Sequence, residues 1–368
     1  MRPTSSSIRL RVLVAVLVFV VEFAALEAGL RIYGAFEGTT TFSSLFMDDP
    51  DVGSRLRPNA RIRYSTAEFT ADIAINAQGV RDDEPIGPKP ADERRIVVLG
   101  DSLVLAVQVA FADTFCERLE RKLNARGDGV RWRVINAGVQ GYGPVQEWLL
   151  FDRVVAAFQP DLVIVVPFVA NDATDAAGSV AAFEAGHAIA AAAPSTQRIR
   201  RLVRSSVVLQ SVRARWDQLR SKVSMGTPEP PLAAYLTVAP PIIERGLDLT
   251  RQAIARIAER ARGIGAATAI ALMPARFQTD DPDFGRLVTI VGHAGGVLER
   301  DAASRRFQEA LAALTLPMTD LKPALAAQPD RIGLFYQQTV HLTPRGHSVV
   351  ADALYQFLDE SGLLRGRR

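Results

Sequence analysis

The chain has 368 residues, of which 48% are hydrophobic and 23% are charged, and its formal net charge is +3. This composition is typical of a globular protein with a sizeable core, and it excludes a disordered chain. The single cysteine, Cys116, excludes a disulfide-dense scaffold. A charge so close to neutral does not indicate a nucleic-acid partner, which would require a clustered basic face.

The first segment, residues 1–35, is predicted to be a membrane anchor. Residues 12–30 contain only two charges, Glu22 and Glu27, and a helix needs about 20 apolar residues to cross a bilayer. We favour an uncleaved anchor over a cleaved signal peptide because no A-x-A-like site follows the span. Arginines concentrated before the span predict a cytoplasmic N-terminus. We therefore expect a single-pass protein of the bacterial cytoplasmic membrane, with its body in the periplasm if the host has two membranes.

Residues 36–94 are predicted to form a small β-rich region with one or two hairpin strands, because short alternating stretches flank a glycine turn. The main domain, residues 95–368, follows and contains a helical insertion at about residues 175–248. Apolar residues at helical spacing stand between arginines in this insertion. Such a helix can lie on a membrane surface, or it can pack on the core with a solvated basic face. In either case the insertion is a candidate lid over the strand ends.

Apolar strands alternate with helices from residue 95 onward. The predicted strands are Arg95–Leu99, Trp132–Asn136, Asp161–Pro167, Ala267–Met273 and Thr315–Leu321. The predicted helices are Phe115–Asn124, Val145–Phe158, Leu249–Ala261 and Ser348–Leu358. This alternation predicts an α/β fold with a parallel sheet covered by helices on both faces. Ligands of such sheets bind beyond the carboxyl ends of the strands, which is where the sequence Gly100-Asp101-Ser102 lies.

Four stretches interrupt the apolar pattern with polar residues or glycines. They are "LGDSL", "NAGVQGYG", "FVANDATD" and "HLTPRGH", at Leu99–Leu103, Asn136–Gly143, Phe168–Asp175 and His341–His347. In this order and on these elements, the set resembles the SGNH or GDSL family of hydrolases. The resemblance implies a three-layer α/β/α fold with a flavodoxin-like, five-stranded parallel sheet. A membrane anchor followed by "INAQGVRDDE" is similar to anchored bacterial members of that family.

The resemblance assigns four catalytic roles, and each residue also has an ordinary structural interpretation. Ser102 is the predicted nucleophile, which needs an adjacent base, or else it only caps the following helix. Gly141 and Asn171 are the predicted N–H donors to the oxyanion, or else they are a turn glycine and an Asx turn. His341 is the predicted base, in the block that matches the family's histidine.

The sequence departs from the family pattern just before His341. The family carries an aspartate two or three positions before its histidine, and this chain has Gln338 and Thr339 there. Such an acid holds the histidine tautomer, and its loss can lower turnover about 10⁴-fold. Three outcomes are open: the side-chain carbonyl of Gln338 or a backbone carbonyl orients His341, Asp320 reaches it from the fifth strand, or the site is weak or inactive.

These observations predict a membrane-anchored serine esterase that hydrolyses acyl esters, above all O-acetyl esters. By analogy with anchored members of the family, the substrate is an acylated cell-envelope carbohydrate or a small ester. Two alternatives use the same site: an O-acyltransferase, in which a sugar hydroxyl replaces water, and a non-catalytic module that binds glycan or a protein partner. We expect no cofactor and no metal, because no metal-ligand spacing and no dinucleotide or P-loop glycine pattern occurs.

Overall fold

The computed structural model describes residues 5–36, 42–49, 52–179, 206–209, 212, 230–293, 296–339 and 341–365. The chain divides into two compact units, one made of Met1–Ser43 with Ala192–Val223 and the other of Ser44–Ala191 with Ser224–Arg368. Most of the predicted insertion lies outside the described residues, so its roles as a lid or a membrane-surface helix stay predictions.

The first unit is built on one long apolar helix, α1, which spans Ser5–Phe36. Its segment Leu13–Ile32 is long and apolar enough to cross a membrane, although a signal sequence has the same properties. The Glu27 carboxylate accepts hydrogen bonds from the Ser206 hydroxyl at 2.8 Å and from the N–H groups of Val207 and Val208 at 3.0 and 3.1 Å. Because an ionised group in an apolar segment is costly, these donors explain how the helix accommodates it.

The second unit begins with two antiparallel hairpins. Strand β1 (Phe46–Asp49) pairs with β2 (Gly53–Leu56), and β3 (Arg61–Ser65) pairs with β4 (Thr70–Ala74). In the second hairpin alternate residues are buried, as expected for strands with one solvated face. The region therefore has four short strands, where the sequence predicted one or two. The turn between β3 and β4 contains Glu68.

A five-stranded parallel sheet forms the centre of the second unit. Its strands are β5 (Glu93–Gly100), β6 (Arg131–Gly138), β7 (Leu162–Val166), β8 (Ala267–Leu272) and β9 (Met318–Asp320). They lie in the order β6-β5-β7-β8-β9, which is the flavodoxin-like order 2-1-3-4-5. The predicted α/β fold is therefore confirmed. The strand order reverses between β5 and β7, so the end of β5 lies at the switch point where such folds bind ligands.

Helices flank this sheet. They are α2 (Ser102–Leu105), α3 (Phe115–Asn124), α4 (Pro144–Arg153), α5 (Asp172–Gly178), α6 (Pro230–Ala233), α7 (Pro241–Gly263), α8 (Asp281–His293), α9 (Ala302–Ala312), α10 (Lys322–Ala326) and α11 (Pro344–Glu360). Short 3₁₀ turns occur at Phe42–Leu45, Phe111–Asp113, Val155–Phe158, Arg276–Gln278 and Ile332–Leu334.

Several predicted boundaries were wrong, for identifiable reasons. The helix predicted to end at Phe158 ends at Arg153 and is followed by a 3₁₀ turn. Strand β9 is shorter than predicted because it lies at the sheet edge and pairs only with β8. Helices α8 and α9 were missed. Helix α8 buries only Asp283 and Val291, so it has no apolar stripe to reveal it.

Two glycines allow α2 to fold back onto the ends of β5 and β6. A Cβ on Gly100 would overlap the Val104 side chain, and a Cβ on Gly138 would lie 2.7 Å from the Val104 carbonyl carbon. Only glycine permits such a close approach of helix and strand. The strand before Ser102 therefore ends on glycine because the short helix packs directly on it, which holds Ser102 in one place.

Candidate active site

Ser102 is the first residue of α2, at the carboxyl end of β5. The helix cap is Asp101, whose Oδ1 accepts a hydrogen bond from the Leu103 N–H at 2.8 Å. The alternative in which Ser102 itself caps the helix is therefore wrong. Because Asp101 already satisfies that first-turn N–H group, the Ser102 hydroxyl is available for another partner.

That partner is His341. The Ser102 Oγ lies 3.0 Å from the His341 Nε2, although the two residues are 239 positions apart in the sequence. His341 comes just before α11, whose first turn is capped by the Thr343 hydroxyl. When Nε2 accepts the serine proton, the ring proton must be on Nδ1. This geometry is that of a serine nucleophile with an adjacent general base.

The other ring nitrogen of His341 lacks the expected support. Among the residues that the structure describes, its buried Nδ1 has no hydrogen-bond partner. Gln338 is exposed, and Asp320 accepts hydrogen bonds from the Lys322 N–H at 2.8 Å and from Gln308 at 3.3 Å. Neither proposed orienting side chain contacts the imidazole. Burial without an acidic partner lowers the pKa of His341 to about 4, because the charged ring is desolvated.

The predicted oxyanion donors lie on the loops after β6 and β7. Gly141 has a φ of +73°, is exposed, and faces open space where a side chain would begin. Asn171 donates one amide hydrogen from Nδ2 to Asp175 Oδ2 at 2.8 Å, which orients the amide and leaves its second hydrogen available. That both groups bind a common oxyanion stays a prediction.

The loops that carry these blocks contact one another. The Val139 N–H donates to the Gly100 carbonyl at 3.0 Å, which attaches the loop after β6 to the nucleophile turn. A Cβ on Gly143 would lie 2.9 Å from the Cβ of Asp175, so this loop packs directly against α5. Together with the contact between Ser102 and His341, these contacts bring the four sequence blocks to one edge of the sheet.

Sequence reasoning missed a group of buried carboxyl groups at this edge. Burial raises the pKa of Asp101 to about 7 and that of Asp175 to about 6, and it raises the pKa of Glu147 and Asp172 well above the ordinary range. Mutual repulsion adds to this effect. The signal in the sequence was Glu147, a lone charge on the apolar face of α4. Within the described residues, no cluster of His, Cys, Asp or Glu is arranged to hold a metal ion.

Two further residues that the sequence did not indicate contact the loop before His341. Glu68, in the turn between β3 and β4, and Arg276, after β8, bind the backbone of residues 336–338. Neither residue belongs to one of the four motif blocks, so local sequence carried no signal for them.

Comparisons with known proteins add similarity to solved structures. No protein-family model matches the chain, and no curated protein matches it. The chain is similar to the structure of TesA, with 14% sequence identity and a TM-score of 0.41, over 73% of this chain and 99% of that one. It is similar to a catalytic mutant of Axe2, an acetylxylan esterase from Geobacillus stearothermophilus, with 11% identity and a TM-score of 0.41, over 72% and 94% of the two chains.

A third similar structure is a lipase/acylhydrolase from Enterococcus faecalis, with 14% identity and a TM-score of 0.40, over 73% of this chain and 96% of that one.

Proposed function

We propose that the chain is a serine hydrolase of ester bonds, with Ser102 as nucleophile and His341 as general base. The observation that carries this proposal is the 3.0 Å contact between Ser102 Oγ and His341 Nε2 at the switch point of a parallel sheet. A hydroxyl held within hydrogen-bond distance of a neutral imidazole can be deprotonated as it attacks. Capping of α2 does not require a serine there, since Asp101 already caps the helix.

The reaction proceeds in two steps. In the first, Ser102 Oγ attacks the ester carbonyl carbon while its proton passes to His341 Nε2. The carbonyl oxygen becomes an oxyanion, for which Gly141, Asn171 and the Ser102 N–H are the candidate donors. The imidazolium then protonates the departing alcohol, leaving an acyl group on Ser102. In the second step a water attacks the acyl carbon, gives its proton to His341, and releases the carboxylic acid as Ser102 recovers its proton.

We further propose that the substrate is an O-acetyl or other short acyl ester, on a cell-envelope carbohydrate or a small molecule. The apolar helix α1 supports attachment of the enzyme to the membrane, with its body outside the cytoplasm. The exposed Gly141 supports access of a substrate to the loop after β6.

The test uses the full chain in detergent, with p-nitrophenyl acetate hydrolysis and labelling by a fluorophosphonate as two readouts. Native protein is expected to turn over the ester and to be labelled, and Ser102→Ala is expected to do neither. Ser361→Ala is the matched control, because it removes an exposed serine hydroxyl on the far end of α11. Labelling without hydrolysis would indicate an acyltransferase and not a hydrolase. Native protein that is not labelled would overturn the assignment of Ser102 as the nucleophile.

A further inference from the structure

The segment that presents His341 is a closed loop. Phe335 and Leu342 form a β-bridge at its neck, and the Tyr336 N–H donates to the His341 carbonyl at 2.9 Å. The Thr343 N–H donates to the Leu334 carbonyl at 2.9 Å, which continues the pairing. The position of the imidazole therefore depends on the backbone of this loop.

Glu68 binds the tip of the loop from the β3–β4 hairpin. Its Oε1 accepts a hydrogen bond from the Gln337 N–H at 2.6 Å, and its Oε2 accepts one from the Gln338 N–H at 2.9 Å. Both carboxylate oxygens are thus used on two consecutive backbone amides. Hydrogen bonds to an ionised acceptor are about twice as strong as neutral ones. Phe69, next in the hairpin, packs against the Tyr336 ring with the centroids 5.3 Å apart.

Arg276 binds the same stretch of backbone with the opposite charge. Its Nη1 donates to the carbonyls of Tyr336 and Gln337 at 2.9 and 2.8 Å, and its Nε donates to Asp283 at 2.5 Å. Four backbone groups just before His341 are therefore held by two charged side chains. Backbone groups that are all bound in this way cannot rearrange without losing several charge-assisted hydrogen bonds.

We propose that Glu68 is a positioning residue for His341, an inference that rests on the proposed hydrolase function. Among the described residues the imidazole has no hydrogen-bond partner at Nδ1, so its hydrogen bond with the nucleophile Ser102 is not matched by a second one on the other side of the ring. The carboxylate of Glu68 supplies a second constraint through the backbone, from a hairpin that contributes no catalytic residue. Through Glu68, the β3–β4 hairpin supports the loop that carries the proposed base.

The test compares Glu68→Gln with native protein, using ester turnover and the rate of fluorophosphonate labelling of Ser102. A glutamine offers one acceptor oxygen and places an amide donor against the second backbone N–H, so the loop loses one hydrogen bond and gains a repulsion. Because a displacement of about 1 Å in a catalytic group can cost about 100-fold, we expect kcat and the labelling rate to fall about 10- to 100-fold. KM is expected to stay within about twofold, since Glu68 contacts no part of the proposed substrate site.

Asp72→Asn is the matched control. Asp72 is an exposed acid in the same hairpin, and its ion pair is with Arg63 within that hairpin, at 3.8 Å. The Asp72→Asn variant is expected to be labelled by the fluorophosphonate at the native rate. Glu68→Asp keeps the charge and is expected to recover part of the lost rate.

The outcomes separate the two proposals. Native protein that does not label would overturn the hydrolase function itself. If native protein and Glu68→Gln are labelled equally fast, the positioning role alone is overturned. A rise in the KM of Glu68→Gln with no change in kcat would overturn it as well. If Glu68→Gln does not unfold cooperatively, the same comparison is made with Glu68→Asp. Its shorter side chain is expected to leave the labelling rate below the native rate, and a rate equal to the native one contradicts the inference.

Discussion

Among the described residues, Nδ1 of His341 has no hydrogen-bond partner. This predicts an unusual pH dependence of the ester turnover, which a substitution near the imidazole should change. Burial lowers the pKa of His341 from 6.5 to about 4. The protonated ring cannot accept the Ser102 proton, so kcat/KM is expected to fall as the pH drops through about 4 rather than through about 6.5. A carboxylate introduced by Gln338→Asp, three positions before His341, is expected to raise this apparent pKa.

The size of the effect follows from the same shift. At about 1.4 kcal/mol per pKa unit, the lowering disfavours the imidazolium by roughly 3 kcal/mol. The imidazolium is also the form that His341 takes in the proposed reaction, so the transition state of that reaction carries this cost. A carboxylate within about 4–6 Å of an imidazole favours the imidazolium and raises the pKa of the histidine by about 1–3 units. Residue 338 is exposed and solvent weakens the interaction of an exposed charge, so Gln338→Asp is expected to move the acid limb to about 5 and to increase kcat about 10-fold.

The assay is p-nitrophenyl acetate hydrolysis between pH 3.5 and 8, with samples quenched and read at one alkaline pH. Gln356→Asp is the control, because it makes the same chemical change at an exposed position on α11 and is expected to leave the profile unchanged. A native acid limb near pH 6.5 would refute the argument, since the imidazole would then be stabilised by a partner. So would a Gln338→Asp profile that coincides with the native one.

Three further predictions concern the site and its support. Asn171→Ala is expected to lower kcat about 10²- to 10³-fold with little change in the melting temperature, as measured by steady-state kinetics and thermal unfolding; an unchanged kcat would remove this residue from the oxyanion site. Gly138→Ala is expected to destabilise the protein by about 2 kcal/mol or more in urea unfolding, because the new Cβ would overlap α2. The control is Gly263→Ala, whose Cβ meets open space and which is expected to be neutral or slightly stabilising. Equal effects of the two substitutions on stability would contradict the close packing of α2 on Gly138. His347 accepts the Phe115 N–H at its Nδ1 at 3.2 Å, and burial lowers its pKa to about 3. Because the unfolded histidine binds a proton below about pH 6.5 and the folded one does not, the contribution of His347 to stability is expected to fall by about 2–3 kcal/mol between pH 7 and 4.5. The stability of native protein should therefore change by that much more than the stability of His347→Phe over this range, and parallel curves for the two proteins would show that His347 does not titrate in this way.

Local sequence patterns were sufficient for the central architecture. Apolar runs of strand length, such as Leu162–Val166, alternate with amphipathic helices, such as Phe115–Asn124. This alternation determines a parallel sheet because buried strands need helices on both faces. It also placed Ser102 at a strand end. The role of His341 came from the resemblance of its block to a family motif, and the structure then placed it 3.0 Å from Ser102.

Only the tertiary structure decided how the site is supported. Asp320 is the last residue of β9 and was a reasonable partner for His341, yet its carboxylate accepts hydrogen bonds from Lys322 and Gln308. Glu68 lies far from His341 in the sequence and in no recognisable motif, and it reaches the loop because the β3–β4 hairpin packs there. The periodicity of a strand or helix depends only on its own residues, whereas a contact between distant loops depends on how the whole chain packs.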